Sequence, residues 1–204
     1  MTGSSPRRRA DSMWPWEHAA VGYVAYSLAL RSTGRRPPSD VGALALVVGS
    51  QLPDLIDKPL AWWLGVLPAG RSLGHSLPFA VPVIVSVLIA TRAVDRGAVG
   101  VAFAAGYLSH LPGDVFYPVL LGESPALGFF LYPFVEVPPR VEPGGIAKLG
   151  DLVAGFGAFL ATPRGTLYLA GESLLLSLAV GVWVWDGRPG LGPVRRQVRR
   201  AITG

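Results

Sequence analysis

Apolar residues come in blocks along this chain, not in strict alternation, which reads as helices and not strands. The first block, WPWEHAAVGYVAYSLALRSTG, begins at Trp14. It has Pro15 where a first helical turn tolerates proline and Gly34 where a helix ends, predicting a helix over about residues 15–33. A basic link, Gly34-Arg35-Arg36-Pro37-Pro38, leads to Ser39 or Asp40 as N-cap and to a second run, VGALALVVGSQL, expected to stop at Pro53. At about 13 residues this run makes roughly 20 Å of helix against a bilayer core about 30 Å thick, so its far end is expected below the membrane surface. A third run, over about residues 76–90, carries Pro78 and Pro82 in its opening turns and gives way to Arg92 and Arg96. The fourth, AVGVAFAAGYLSHL, starts near Ala98, and its Ala102, Ala104, Ala105 and Gly106 suit close helix packing in lipid.

Prolines 118, 125, 133, 138, 139 and 143 interrupt residues 119–164. A membrane-surface or re-entrant excursion is expected there, followed by a short apolar segment over residues 149–160. The last run, TLYLAGESLLLSLAVGVWVW, has about the 20 residues a spanning helix needs, with Trp183 and Trp185 at an interfacial position. Trp14, Trp16 and the Trp62-Trp63 pair also read as interfacial anchors. The expected organisation is a disordered basic arm (1–13, with Arg7, Arg8 and Arg9), a helical membrane domain (14–186) and a basic tail (187–204) suited to anionic headgroups. No apolar run with a small-residue cleavage site follows the arm closely enough to read as a signal peptide.

Composition sharpens this picture. Of 204 residues 50% are hydrophobic and 15% charged, with a net charge of +5, while soluble domains usually carry about 25% charge. The expected class is therefore all-α, a polytopic membrane bundle of about five helices. With no cysteine, thiol nucleophiles and Cys-ligated zinc are excluded, and any metal must sit on histidines and carboxylates. There are three histidines, His18, His75 and His110.

Following the runs back and forth across a membrane puts all three on one face. His18 opens the first helix there, the second delivers Asp54 and Asp57, His75 opens the third, and the fourth returns His110 and Asp114. His110 and Asp114 are spaced i,i+4, the spacing at which side chains about 5–6 Å apart project from one helix face. Imidazole nitrogen and carboxylate oxygen are ligands for zinc and similar divalent ions, so His18, Asp54, Asp57, His75, His110 and Asp114 form a candidate set for one or two ions. A competing reading makes Asp54 and Asp57 a helix-stop and turn pair around Pro53.

At these residues the chain resembles the family of membrane-bound metal-dependent hydrolases of the LexA-regulated inner-membrane type. The matching pieces, over about residues 14–120, are His18 with Gly22, the Asp54 and Asp57 of LPDLID, Arg71 and His75 in RSLGHS, and His110 and Asp114 in SHLPGD. Where that family tends to show His-Arg-Gly-x-Thr-His-Ser, this chain has Gly70 before Arg71, Ser72 for the glycine and Gly74 for the threonine. The ligand order is also similar to the opening part of the zinc-dependent phospholipase C and P1-type nuclease group. That likeness implies metal ligation by His18, one of Asp54 and Asp57, His75, His110 and Asp114. No histidine follows His110, so a full trinuclear cluster is excluded.

The expected function is a membrane-embedded hydrolase in which a divalent metal, zinc first, activates water toward a phosphate-ester or lipid-headgroup substrate. Whichever of Asp54 and Asp57 the metal leaves free is the candidate general base. Arg71 either holds an anionic headgroup or bonds loop carbonyls. Glu17 either orients His18 or favours the helix N-terminus. Glu172 is either a late ligand or acid, or a group bonded to Ser173 or a neighbouring helix. The expected partners are membrane lipids, with no nucleic-acid role. A rival reading is a non-catalytic membrane protein tied together by a structural metal. Arg31, Arg35, Arg36, Arg92, Arg96 and the basic tail fall on the opposite face. By the positive-inside rule that face is expected to be cytoplasmic and the metal face extracytoplasmic, in the cell membrane, because both short links on the former are basic, although Arg7, Arg8 and Arg9 on the metal face argue the other way.

Overall fold

The computed structural model describes residues 13–120, 124–139, 144–192, 197 and 201. Among them all regular structure is helical: α1 (Pro15–Ser32), α2 (Asp40–Trp62), α3 (Leu77–Ala93), α4 (Gly97–Leu120), a 3-10 turn (Gly128–Leu131), α5 (Gly145–Leu160) and α6 (Pro163–Trp185). That is six helices where about five were expected. The expected basic arm with Arg7, Arg8 and Arg9, and most of the basic tail, lie outside the described residues.

Two helices run further than the sequence pattern suggests. α2 does not stop at Pro53 but continues through it and through Pro59 to Trp62, about 35 Å at 1.5 Å per residue. α4 likewise runs on through Pro112 and Pro118. A proline costs a helix one N–H and crowds the carbonyl four residues back, and packed neighbours can absorb both effects. α5 starts at Gly145, four residues before the apolar segment expected there, and the proline-rich stretch before it contains the short turn at residues 128–131.

Caps follow from local chemistry. Ser39 caps α2, its hydroxyl accepting from the Gly42 N–H at 3.1 Å. Asp40 is thereby free to accept from the Gly190 N–H at 2.7 Å and the Gly192 N–H at 3.3 Å. α1 ends on Gly34, whose φ of +68° suits a residue with no Cβ and lets the Arg35 N–H reach the Leu30 carbonyl.

α2 and α4 form the centre of the bundle, and their main chains touch. A Cβ added at Gly49 would stand 2.2 Å from the Phe103 carbonyl oxygen, and one at Gly106 would stand 2.1 Å from that of Leu46. α3 packs on the other side of α4 through Ala80, Ile84, Phe103, Tyr107 and Leu111. α1 and α6 close the near side with Tyr23, Leu46, Ala102 and Val182. Beyond the core, Asp186 at the end of α6 accepts from Tyr23, Ser27 and Arg31 of α1 at 2.5–3.0 Å, and the Arg31 guanidinium lies 3.7 Å above the Trp185 ring.

The distribution of polarity is inverted relative to a water-soluble bundle. Glu17, His18, Asp57, His75, His110 and Asp114 are at most 2% exposed, whereas Leu44, Val48, Val81, Val85, Ile89 and Leu174 are at least 45% exposed. Among the described residues α6 is long and apolar enough to cross a membrane, and α3, with 17 residues, is apolar but shorter.

Candidate metal centre

Because α2 stays helical past Pro53, Asp54 and Asp57 project inward one turn apart, and Asp54 is paired with Lys58 at i,i+4. α4 presents His110 and Asp114 at the same spacing toward α2. The loop between α2 and α3 brings in His75. His18 enters from the first turn of α1, where Gly113 leaves room: a Cβ there would meet its Nδ1 at 3.2 Å. One turn on, Gly22 sits against Ser109 of α4, where a Cβ would fall 2.7 Å from the hydroxyl.

The tautomers of two histidines follow from their partners. His110 Nδ1 lies 2.7 Å from the Ser50 carbonyl oxygen, which can only accept, so Nδ1 carries the proton. His75 Nδ1 lies 2.8 Å from Asp57 Oδ2 and donates to it in the same way. Both Nε2 atoms then turn inward and stand 2.9 Å apart. Asp114 Oδ2 is 3.1 Å from His75 Nε2 and 3.8 Å from His110 Nε2, and Asp54 Oδ1 is 3.7 Å from the former and 3.9 Å from the latter. The four ligand atoms lie within 4.8 Å of one another. Donors about 2.1 Å from a tetrahedral zinc stand about 3.4 Å apart, so the spacing is of the right size.

The arrangement is complementary to a cation. Asp54 Oδ1, both oxygens of Asp114 and both ring nitrogens of His18 are buried without a hydrogen-bond partner, and such groups are costly to leave unsatisfied. His75 registers the same demand. Burial disfavours its charged form, but the negative charges of Asp114, 3.1 Å from Nε2, and Asp57, 2.8 Å from Nδ1, outweigh that and raise the imidazole to about 9. The two-nitrogen, two-oxygen donor set fits a divalent ion.

Asp57 has a different place from the one expected of a ligand. Its carboxylate accepts from the Ser72 N–H and the Gly74 N–H, both at 2.7 Å, and from His75 Nδ1, so it shapes the loop and orients the histidine. Gly74, where the resembled family has threonine, lies so close to α2 that a Cβ would stand 2.8 Å from the Pro53 carbonyl oxygen. His18 stacks on His110 with centroids 3.7 Å apart, and its Nε2 is 3.4 Å from Asp114 Oδ1. Glu17 does not bond His18. It accepts from the Trp14 N–H, capping α1, and from the Tyr168 hydroxyl at 2.8 Å. Glu172 stands outside the cluster and accepts from Trp16 Nε1 at 2.8 Å. Arg71 donates to the Asp114 carbonyl at 2.9 Å.

Sequence reasoning missed several contributors. Lys58 was findable from its i,i+4 spacing to Asp54 once α2 is carried past Pro53. Tyr107, one turn before His110, donates to the Gly74 carbonyl at 2.5 Å and pins the loop. The Ser50 carbonyl is main chain and leaves no trace in residue type.

Fold and site together define a helical bundle with an apolar exterior, built around a buried histidine–carboxylate cluster able to hold a metal ion. The family model of the YdjM inner membrane protein matches residues 13–188, and the chain belongs to that family. This makes it an inner-membrane protein. No curated protein and no solved structure matches it.

Proposed function

We propose that this protein is a polytopic, membrane-embedded, metal-dependent hydrolase acting on phosphate-ester or lipid-headgroup substrates. The observation that carries the reading is the convergence of two imidazole Nε2 atoms and unpartnered oxygens of two carboxylates on one buried point. Asp54, His75, His110 and Asp114 would hold a divalent ion, zinc being the first choice for this donor set. Such an ion supplies Lewis-acid polarisation of a substrate oxygen and an acidified water.

The remaining residues divide the other tasks. Asp57 keeps His75 in the tautomer that presents Nε2. Lys58 holds Asp54 by one oxygen and leaves the other facing the cluster. With Asp57 spent on the loop and Asp54 on Lys58 and the ion, His18 is left as the proton acceptor. Both of its nitrogens are unpartnered, and Asp114 beside Nε2 would stabilise the imidazolium. This differs from the expectation that Asp54 or Asp57 is the base. The similarity in ligand order to the phospholipase C and P1-type group supports phosphate-ester chemistry.

The inverted polarity supports several membrane-crossing helices, since apolar side chains face outward on α2, α3 and α6 alike. Arg31, Arg35, Arg36, Arg92 and Arg96 lie at the ends of the first four helices remote from the cluster. By the positive-inside rule they face the cytoplasm, and the cluster opens toward the other side.

The test is elemental analysis of the purified protein, followed by assay of the metal-loaded form against aryl phosphate mono- and diesters and phospholipids. Turnover that His18→Gln abolishes without lowering metal content supports the proposal. Full metal occupancy with no cleavage of any ester overturns it. Burial of all four ligands favours a second reading, a structural ion joining α2, α4 and the loop. In that case removing the metal unfolds the protein and no turnover is found.

A further inference from the structure

A cavity of about 540 Å³ lies against the cluster, within the range of small-molecule sites. Three of its lining residues touch the candidate ligands. Lys58 is bonded to Asp54, Arg71 to the main chain of Asp114, and the Phe129 ring stands edge-on to His75 with centroids 5.9 Å apart. The cavity is therefore separated from the candidate ligands by the single layer of side chains Lys58, Arg71 and Phe129.

Its lining has two chemical characters. The lining includes three cations, Lys58 (paired with Asp54), Arg71 and Lys148, and one carboxylate, the exposed Glu136. The indole N–H groups of Trp14 and Trp62, also in the lining, are buried without an acceptor. Donors exceed acceptors, so the complementary ligand carries acceptor oxygens and negative charge. A guanidinium matches phosphate oxygens in pairs, and a lysine ammonium adds three further donors.

The rest of the lining is apolar. α5 contributes Leu149 and Leu152, and it has no buried residue, so its leucines keep apolar surface available to a ligand. Trp62 joins the two regions. Its ring lies about 6 Å from the ammonium groups of both Lys58 and Lys148.

The geometry points to a binding site for an anionic amphiphile. A phosphate-bearing head is held by Arg71 and Lys58 on the cavity side of the cluster, and one apolar chain lies along Trp62, Leu149 and Leu152. This rests on the hydrolase reading only for what becomes of the ligand once bound.

Binding is tested on the full chain as purified in neutral maltoside micelles, by rapid mixing so that turnover during the reading is negligible. Tryptophan fluorescence is followed as dodecyl phosphate, dodecanol or inorganic phosphate is added. Dodecyl phosphate is expected to saturate, with the other two at least 100-fold weaker. Arg71→Gln and Lys148→Gln are expected to weaken it tenfold or more. Leu152→Trp, which fills the apolar end, is expected to abolish it without changing melting temperature or metal content. Equal saturation by dodecanol, competition by inorganic phosphate at the same concentration, or unchanged affinity in the folded variants would each overturn the assignment. A protein that binds dodecyl phosphate but, metal-loaded, cleaves no ester overturns the hydrolase reading and leaves this site standing. One that cleaves esters but does not bind dodecyl phosphate overturns this site alone.

Discussion

His75 Nε2 and His110 Nε2 face each other across 2.9 Å, each with its Nδ1 turned outward to an acceptor, Asp57 in one case and the Ser50 carbonyl in the other. A proton on one of them makes the contact a hydrogen bond, and a divalent ion bound by both would take that proton's place. Most of what can be tested about the cluster follows from this pair.

Removing either nitrogen removes the site. His75→Ala and His110→Ala are each expected to lower bound metal from about one ion per chain to less than a tenth of that, read by elemental analysis of protein purified with added zinc. Asp57→Asn keeps all four donors and loses only the charge that orients His75. It is expected to retain the ion with about 10- to 100-fold weaker affinity. Retention of full metal by His110→Ala would remove the basis of the site.

His18 is expected to separate binding from chemistry. His18→Gln keeps a side chain of similar reach but cannot take up a proton near neutral pH. Turnover should fall about 10²- to 10⁴-fold, the usual scale of general-base catalysis, with metal content unchanged. Loss of metal in step with turnover would instead make His18 a ligand.

Gly106 tests the contact between α2 and α4. A Cβ there would overlap the Leu46 carbonyl oxygen at 2.1 Å, so Gly106→Ala must push the helices apart. The expected cost is about 1–3 kcal/mol, with weaker metal binding as well. Gly171 in α6 has nothing within 4 Å of its added Cβ, so Gly171→Ala should leave melting unchanged or raise it slightly. Equal behaviour of the two variants would count against the close packing.

Asp186 ties the far ends of α1 and α6, and its pH dependence has a definite sign. Burial pushes its carboxyl up, but hydrogen bonds from Ser27, Tyr23 and Arg31 outweigh that and hold it below its ordinary value of 3.8. The stability it contributes is therefore present above that value and is lost as pH falls through the lower, folded-state one. Asp186→Asn is expected to lose about 1–3 kcal/mol at neutral pH. The gap from the parent protein should close in melts below about pH 3.8. A gap that persists in acid would mean the charge is not what holds the helices.

The sequence made the helical class and the pairing of His110 with Asp114 legible, because both rest on spacing within one helix. What it concealed depends on partners distant along the chain. Pro53 reads as a stop because its missing N–H is visible in the sequence, whereas the packing of α2 against α4 that keeps the helix going is not. Asp57 and Asp54 look equivalent three residues apart. Only the loop folding back over α2 gives one of them backbone N–H groups to hold and leaves the other facing the cluster. Residue type also could not reveal the Ser50 carbonyl that fixes the His110 tautomer.

The two glycine contacts carry a consequence for how such a protein can diverge. Gly49 rests on the Phe103 carbonyl and Gly106 on that of Leu46, so the gap between the two helices carrying Asp54, His110 and Asp114 is set by main-chain thickness. Leucines, valines and isoleucines on the outer faces can drift to suit a lipid of different composition without altering the bite of the ligands. A descendant that changed its metal would do so by exchanging donors at residues 54, 75, 110 and 114, with the helix spacing inherited unchanged.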